Sequence, residues 1–264
     1  MRLPGVTPTA YPELDTVLAE LVDGARESLG DAFCAAYLHG SFATGDADEF
    51  SDVDFIVVVR DELTPGQVRA LQLLHRRLHA LDSAWAQHLE GSYVPRACLR
   101  HMDWSHRSFL FLDNGANELV WDGHCNTAVV RWLLRERGVT LAGPDPKELV
   151  DPIGAPDLRR EAKARIREYA EWAHELPAMS RWEQPYLVLT FCRLLFTLAT
   201  GRVAAKREAG EWALGALGEE WAGLVRQALA DRADPWGRVH QLADRAPAER
   251  TVAFGDYAAR RAGH

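Results

Sequence analysis

The segment from Leu38 to Val57, LHGSFATGDADEFSDVDFIV, constrains the fold of this 264-residue chain more than any other. Apolar residues lead into Gly40-Ser41, a short polar stretch follows, and Ser51-Asp52-Val53-Asp54 opens onto a second apolar run. Phe33–His39 suits a buried strand, and Val53–Val59, dominated by β-branched residues, is the strongest strand signal in the chain. The polar stretch therefore joins two buried strands. Gly40 permits a tight turn and a close approach of the backbone to a ligand. Ser41, at the start of what would be a short helix, offers a hydroxyl and amide N–H groups to a phosphate. Asp52 and Asp54 stand two apart at the head of a strand, where alternate side chains share a face, so their carboxylates project to one side. Two convergent hard oxygen donors, with triphosphate oxygens and water completing the shell, are what Mg²⁺ prefers. Ser51 supports the turn or a phosphate oxygen.

Around this segment the chain divides by pattern. Leu14, Val17, Leu18 and Leu21 recur at helical spacing within 11–29. Thr64-Pro65-Gly66-Gln67 opens another helix, with Thr64 as N-cap and Gln67 in the capping-box position, and Val68, Leu71, Leu74, Leu78 and Leu81 as its apolar face. His88–Pro95 reads as a third strand, and 108–121 as one or two more about Asn114-Gly115, a hairpin signal. Thr127–Arg137 is helical and stops at Gly138. Gly143-Pro144-Asp145-Pro146 and Asp151-Pro152 then punctuate the chain, and no strand is expected after them. Helical stretches near 156–175, 184–200, 204–217, 218–231 and 236–262 have Trp172, Trp182, Trp212, Trp221 and Trp236 available for their core. The expected fold class is α/β plus all-α: residues 1–150 as a domain with a small mixed sheet, and residues 151–264 as a helical bundle that closes a cleft over it.

Composition removes several function classes. A chain 47% hydrophobic and 26% charged is neither disordered nor collagen-like. No apolar run approaches the roughly 20 residues of a membrane span, and the opening MRLPGVTPTA lacks a secretory pattern. Four scattered cysteines fit free or buried thiols in a reducing cytoplasm. Thirty Lys+Arg against 38 Asp+Glu argue against a nucleic-acid binder; the surplus acid suits a cationic small substrate, or solubility alone. His75 and His79, one helical turn apart without an intervening glutamate, read as a solvated helix face rather than a metal site. Arg159, Lys163 and Arg167, interleaved with Glu161 and Glu168, read as a salt-bridged surface.

Gly-Ser followed by Ser-Asp-x-Asp between two strands resembles the nucleotidyltransferase superfamily. That resemblance implies a third carboxylate on a later strand. Glu90, within His88–Pro95, is the candidate, as a metal ligand or as general base on an acceptor hydroxyl; the alternative is a solvent-facing acid on an edge strand. In the helical half, Leu187 to Lys206 (LVLTFCRLLFTLATGRVAAK) followed by Glu211-Trp212-Ala213 resembles the aminoglycoside adenylyltransferases of the streptomycin/spectinomycin type. Leu141-Ala142-Gly143-Pro144 and Glu148 to Pro152 resemble that family's domain junction. The resemblance implies ATP as co-substrate with Mg²⁺ as cofactor, Arg193 and Lys206 facing the phosphates across the interdomain cleft, and a cationic small-molecule acceptor. It also implies an enzyme that transfers AMP to a drug hydroxyl and releases pyrophosphate. With the cysteine and charge readings above, the expected enzyme is cytoplasmic, works without nucleic acid or membrane, and is a monomer, with a dimer left open.

Glu183 falls where the family carries an acid toward the drug, whereas Met179, one turn earlier, replaces another such acid. Spectinomycin is therefore favoured over streptomycin. Residues 97–123 depart most from the family pattern and hold Trp104, Asp113, Glu118, Trp121 and Asp122. Three alternatives stay open: another acceptor such as a protein side chain, a nucleic-acid-extending enzyme, and a non-catalytic nucleotide-binding relative.

Overall fold

The computed structural model describes residues 8–102, 104–105, 107–231 and 236–263, so the first seven residues of the opening segment lie outside it. Two compact units emerge, one made of residues up to Ala47 and Ser51–Ile153, the other of Asp48–Phe50 and the chain from Gly154 on.

In the first unit, α1 (Pro12–Leu29), β1 (Phe33–Leu38), α2 (Gly40–Thr44), β2 (Val53–Val59) and α3 (Pro65–His79) follow in order. Then come α4 (Ala84–Gln87), β3 (Leu89–Pro95), α5 (Arg96–Arg100), β4 (Phe109–Leu112), β5 (Leu119–Asp122), α6 (Ala128–Arg137), β6 (Val139–Ala142) and α7 (Pro146–Leu149). Among the described residues the six strands form one mixed sheet in the order β5-β4-β3-β2-β1-β6. Only β2 and β3 run parallel, and α3 lies in the crossover between them. Parallel neighbours need such a crossover.

The apolar run Phe55–Val59 of β2 is explained by burial on both faces. Val53, Phe55, Val57 and Val59 pack with Leu14, Leu18, Leu71 and Leu74 of α1 and α3. Ile56 and Val58 point the other way, to Phe109, Phe111, Leu134 and Val150. Asp54 belongs to this second face by strand alternation. The capping box of α3 forms as the sequence implies: the Gln67 N–H donates to Thr64 Oγ1 (3.3 Å), and the Thr64 N–H donates to Gln67 Oε1 (2.9 Å).

The second unit holds α8 (Ala155–Glu175), α9 (Glu183–Thr200), α10 (Lys206–Ala216), α11 (Glu219–Ala230) and α12 (Arg245–Ala262). Helix α9 is its apolar centre: Leu187, Phe191 and Leu195 pack with Ile166, Val225 and Phe254, and Trp172, Trp212 and Trp221 pack half-buried around them. The expected stretch 236–262 divides into a 3₁₀ turn at Trp236–Arg238 and α12. Strand β6, only four residues long, escapes periodicity and is fixed by pairing with β1. Among the described residues no helix is long and apolar enough to cross a membrane. All four cysteines are free thiols.

One surface expectation is corrected and one holds. His75 is not solvated: it is 1% exposed, stacks on Phe55 and shares a 2.8 Å hydrogen bond between Nε2 and the Tyr93 hydroxyl. It sits at the angular position of Leu71 and Leu78, so it extends the apolar stripe rather than the polar face. The basic stripe of α8 is a salt-bridged surface, as the sequence implies. Arg167 meets Glu171 (2.9 Å), Arg165 meets Glu168 (2.8 Å), Arg159 donates to the Leu198 carbonyl (3.0 Å), and Glu161 is buried.

Candidate active site

Gly40 stands between β1 and α2 with φ +59°, a conformation that favours glycine. A Cβ there would lie 1.8 Å from Asp54 Oδ2, so the bare backbone of Gly40 is the surface on which the Asp54 carboxylate rests. The His39 N–H donates to the Asp54 carbonyl (3.0 Å) and ties the turn to β2. Ser41 lies in the first turn of α2, and its carbonyl accepts from the Asp46 N–H (3.1 Å) and Thr44 Oγ1 (3.2 Å). Gly45, at φ +77°, ends the helix. Asp52 immediately precedes β2, two residues before Asp54.

Asp54 pairs in register with Glu90 across the parallel β2–β3 ladder, so their side chains leave the sheet on one face. Strand β3 lies inside the sheet, which removes the edge-strand alternative for Glu90. Gly91 lets the ladder close, because a Cβ there would sit 2.1 Å from the Phe55 carbonyl oxygen. Asp52, Asp54 and Glu90 thus come to one end of two adjoining strands. Ser51, half-buried, leads into them.

Further residues join this group that the sequence did not single out for the site. Asn114, read there only as a turn residue, donates through Nδ2 to Asp52 Oδ1 and receives His88 Nδ1–H on Oδ1 (3.0 Å). His124 brings Nε2 to 3.1 Å from Glu90 Oε1, and its ring stacks on Phe111 at 5.1 Å between centroids. The hydrogen bond to Glu90, with Glu90, Asp54 and Asp122 nearby, raises the pKa of His124 above its ordinary value. Burial and the charge of Glu90 raise that of Asp113. His39 beneath is driven the opposite way, to about 4, by burial and by His124. No motif marks His124 in the sequence; it stands in a loop between Gly123 and Cys125.

In the second unit, Arg193 lies half-buried on α9 and Lys206 is the first residue of α10. Lys206 Nζ sits 5.9 Å from the centre of the Tyr186 ring, which stacks on Trp182. Glu183 has a structural task. Its Oε2 accepts the Ser180 N–H (2.6 Å) while Ser180 Oγ accepts the Glu183 N–H (3.0 Å), a reciprocal cap at the start of α9. Met179 is buried. Within 97–123, Glu118 is paired with Arg76 (2.8 Å), and Trp121 stands exposed on the edge strand β5.

Residues 148–255 match the family model of the aminoglycoside adenylyltransferase C-terminal domain, and residues 31–83 match the polymerase beta nucleotidyltransferase model. An aminoglycoside (3'') (9) adenylyltransferase of Shigella flexneri is 25% identical over 252 residues, covering 89% of this chain and 90% of the relative. A spectinomycin 9-adenylyltransferase of Staphylococcus aureus is 25% identical over 215 residues, covering 76% and 78%. The crystal structure of spectinomycin adenyltransferase AAD(9) from Enterococcus faecialis with ATP and spectinomycin superposes with a TM-score of 0.72 at 16% identity, covering 94% of this chain and 99% of that one. The chain is a nucleotidyltransferase that resembles the aminoglycoside adenylyltransferases. The nucleotidyltransferase match spans Gly40, Ser41, Ser51, Asp52 and Asp54, and the adenylyltransferase match spans Glu183, Arg193 and Lys206.

Among the described residues no group of three or more His, Cys, Asp or Glu side chains is placed to hold a metal ion by itself. Asp52, Asp54 and Glu90 are nonetheless carboxylates at adjoining strand ends. Such a set fits a hard divalent cation that completes its shell with phosphate oxygens and water.

Proposed function

We propose that this enzyme transfers AMP from ATP to a hydroxyl of an aminoglycoside-type antibiotic, releasing pyrophosphate, with spectinomycin preferred over streptomycin. The observation that carries the proposal is the pairing of Asp54 with Glu90 beside the Gly40-Ser41 turn, within a chain whose two halves match a nucleotidyltransferase and an adenylyltransferase domain. Asp52 and Asp54 would hold Mg²⁺, with Glu90 at its margin, and the ion would neutralise phosphate charge. Ser41 and Ser51 offer hydroxyls to phosphate oxygens, and Gly40 exposes bare backbone beside them. Arg193 and Lys206 supply positive charge to the departing pyrophosphate, as fork and point charge. Glu90 accepts the proton of the acceptor hydroxyl, whose oxygen bonds to the α-phosphorus as the bond from that phosphorus to the bridging oxygen breaks. Positioning and charge neutralisation dominate such a transfer.

Buried Met179 and the spectinomycin-named relatives support the acceptor preference. Glu183 meets a drug amine through Oε1, the oxygen its cap does not use. The enzyme works as a cytoplasmic monomer on ATP and a cationic small molecule, without nucleic acid. ATP labelled at the α-phosphate tests the transfer: label and adenine appear together on the drug, whereas γ-label arriving there instead would mean phosphoryl transfer and refute it.

A further inference from the structure

We infer that His124 is a positioning residue that fixes the carboxylate of Glu90 for the acceptor hydroxyl, an inference that rests on the adenylyl-transfer reading above. Glu90 projects from an interior strand with its side chain only 15% exposed. A carboxylate so enclosed needs a donor, and His124 Nε2 at 3.1 Å is that donor. The ring is held on two sides. Phe111 of β4 stacks against it with an interplanar angle of 22°, and the His124 backbone N–H donates to Asp122 Oδ1 (2.6 Å) at the end of β5. The imidazole therefore reaches from the β5 end, across β4, to β3. Three neighbouring strands cooperate to hold one carboxylate oxygen.

The chemical consequence lies in the other oxygen. Donation to Oε1 removes the freedom of Glu90 to rotate and leaves Oε2 as the oxygen whose lone pair meets a hydroxyl proton. A general base works only within hydrogen-bond reach of that proton, and fixed orientation is worth much of the barrier in such reactions. A role confined to holding the loop would instead reside in the stack on Phe111 and the tie to Asp122.

Two substitutions separate these roles. His124→Phe keeps an aromatic ring over Phe111 and removes the donor; His124→Gln keeps an N–H donor and removes the ring. With the best acceptor, His124→Phe is expected to lower kcat about 10- to 100-fold with KM for ATP unchanged, and His124→Gln to recover a large part of the loss. Wild-type kcat in His124→Phe, or equal losses in both variants, would overturn the inference. The imidazole ¹⁵N spectrum supplies a readout that needs no acceptor. Replacement of Glu90 by Gln should shift the His124 Nε2 resonance, and an unchanged resonance would refute the pairing even in a protein that adenylylates none of the drugs tried. Absence of AMP transfer by the wild type with the Nε2 shift present would refute the adenylyl-transfer reading, and with it the catalytic sense of the inference, while leaving the hydrogen bond itself intact.

Discussion

Gly40 and Gly45 both adopt positive φ within one short turn, yet they differ in what a side chain would meet. At Gly40 a Cβ collides with the Asp54 carboxylate, whereas at Gly45 it finds nothing within 4 Å. Gly40→Ala and Gly45→Ala should therefore share a backbone cost of about 1–2 kcal/mol, with a larger fall in Tm for Gly40→Ala because of the collision. Only Gly40→Ala should also collapse turnover, by about 100-fold or more, because it displaces the proposed metal carboxylate. Equal activity in the two variants would show that Asp54 does not need its place on Gly40. The sequence made this glycine legible, because a Gly-Ser turn between two apolar strands, with paired carboxylates heading the second, combines close backbone approach with metal-binding chemistry. It did not make Asn114 or His124 legible, since each acts through pairings between strands distant in sequence.

His75 illustrates a second effect at the same scale. Burial depresses its pKa to about 3, so the folded protein holds it neutral while the unfolded chain protonates it near 6.5. Its contribution to stability is present above that unfolded value and is lost as pH falls from about 6.5 toward 3, by about 1.4 kcal/mol per pH unit. In His75→Phe the ring stack on Phe55 survives and the Tyr93 hydroxyl loses its partner. Urea unfolding should show a variant weaker by about 1 kcal/mol at pH 7, with a shallower decline toward pH 4. Parallel declines in the two proteins would contradict the buried neutral imidazole.

Among the elements, those with strong periodicity or caps were legible. The β2 run, the Thr64–Gln67 box on α3 and the apolar helix α9 all form where sequence places them. The short strand β6 depends on its pairing with β1 and carries no local signal. The start of α9 shows how a cap can coincide with a candidate contact, because Glu183 caps the helix with one oxygen. Glu183→Gln preserves an acceptor for the Ser180 N–H, so stability should stay within about 0.5 kcal/mol, while Glu183→Ala should cost about 1 kcal/mol. If Oε1 meets a drug amine, Glu183→Gln raises the acceptor KM about tenfold through loss of a charge-assisted contact. An unchanged KM would leave Glu183 as a cap alone.

At the scale of the whole molecule, the change from mixed α/β to helix was written in composition: β-branched runs before Pro152, amphipathic stretches with tryptophans after it. The solved adenyltransferase shares this fold at a TM-score of 0.72 with only 16% of its residues identical. A fold does not set its substrate; the residues of the site do. The decisive measurement is pyrophosphate release from ATP and Mg²⁺ by the purified protein across spectinomycin, streptomycin and other aminoglycosides, with Asp52→Asn, still folded, as control. Drug-dependent release, greater with spectinomycin than with streptomycin and abolished in the control, is the predicted result. ATP binding without release for any drug, or release that survives Asp52→Asn, would contradict it.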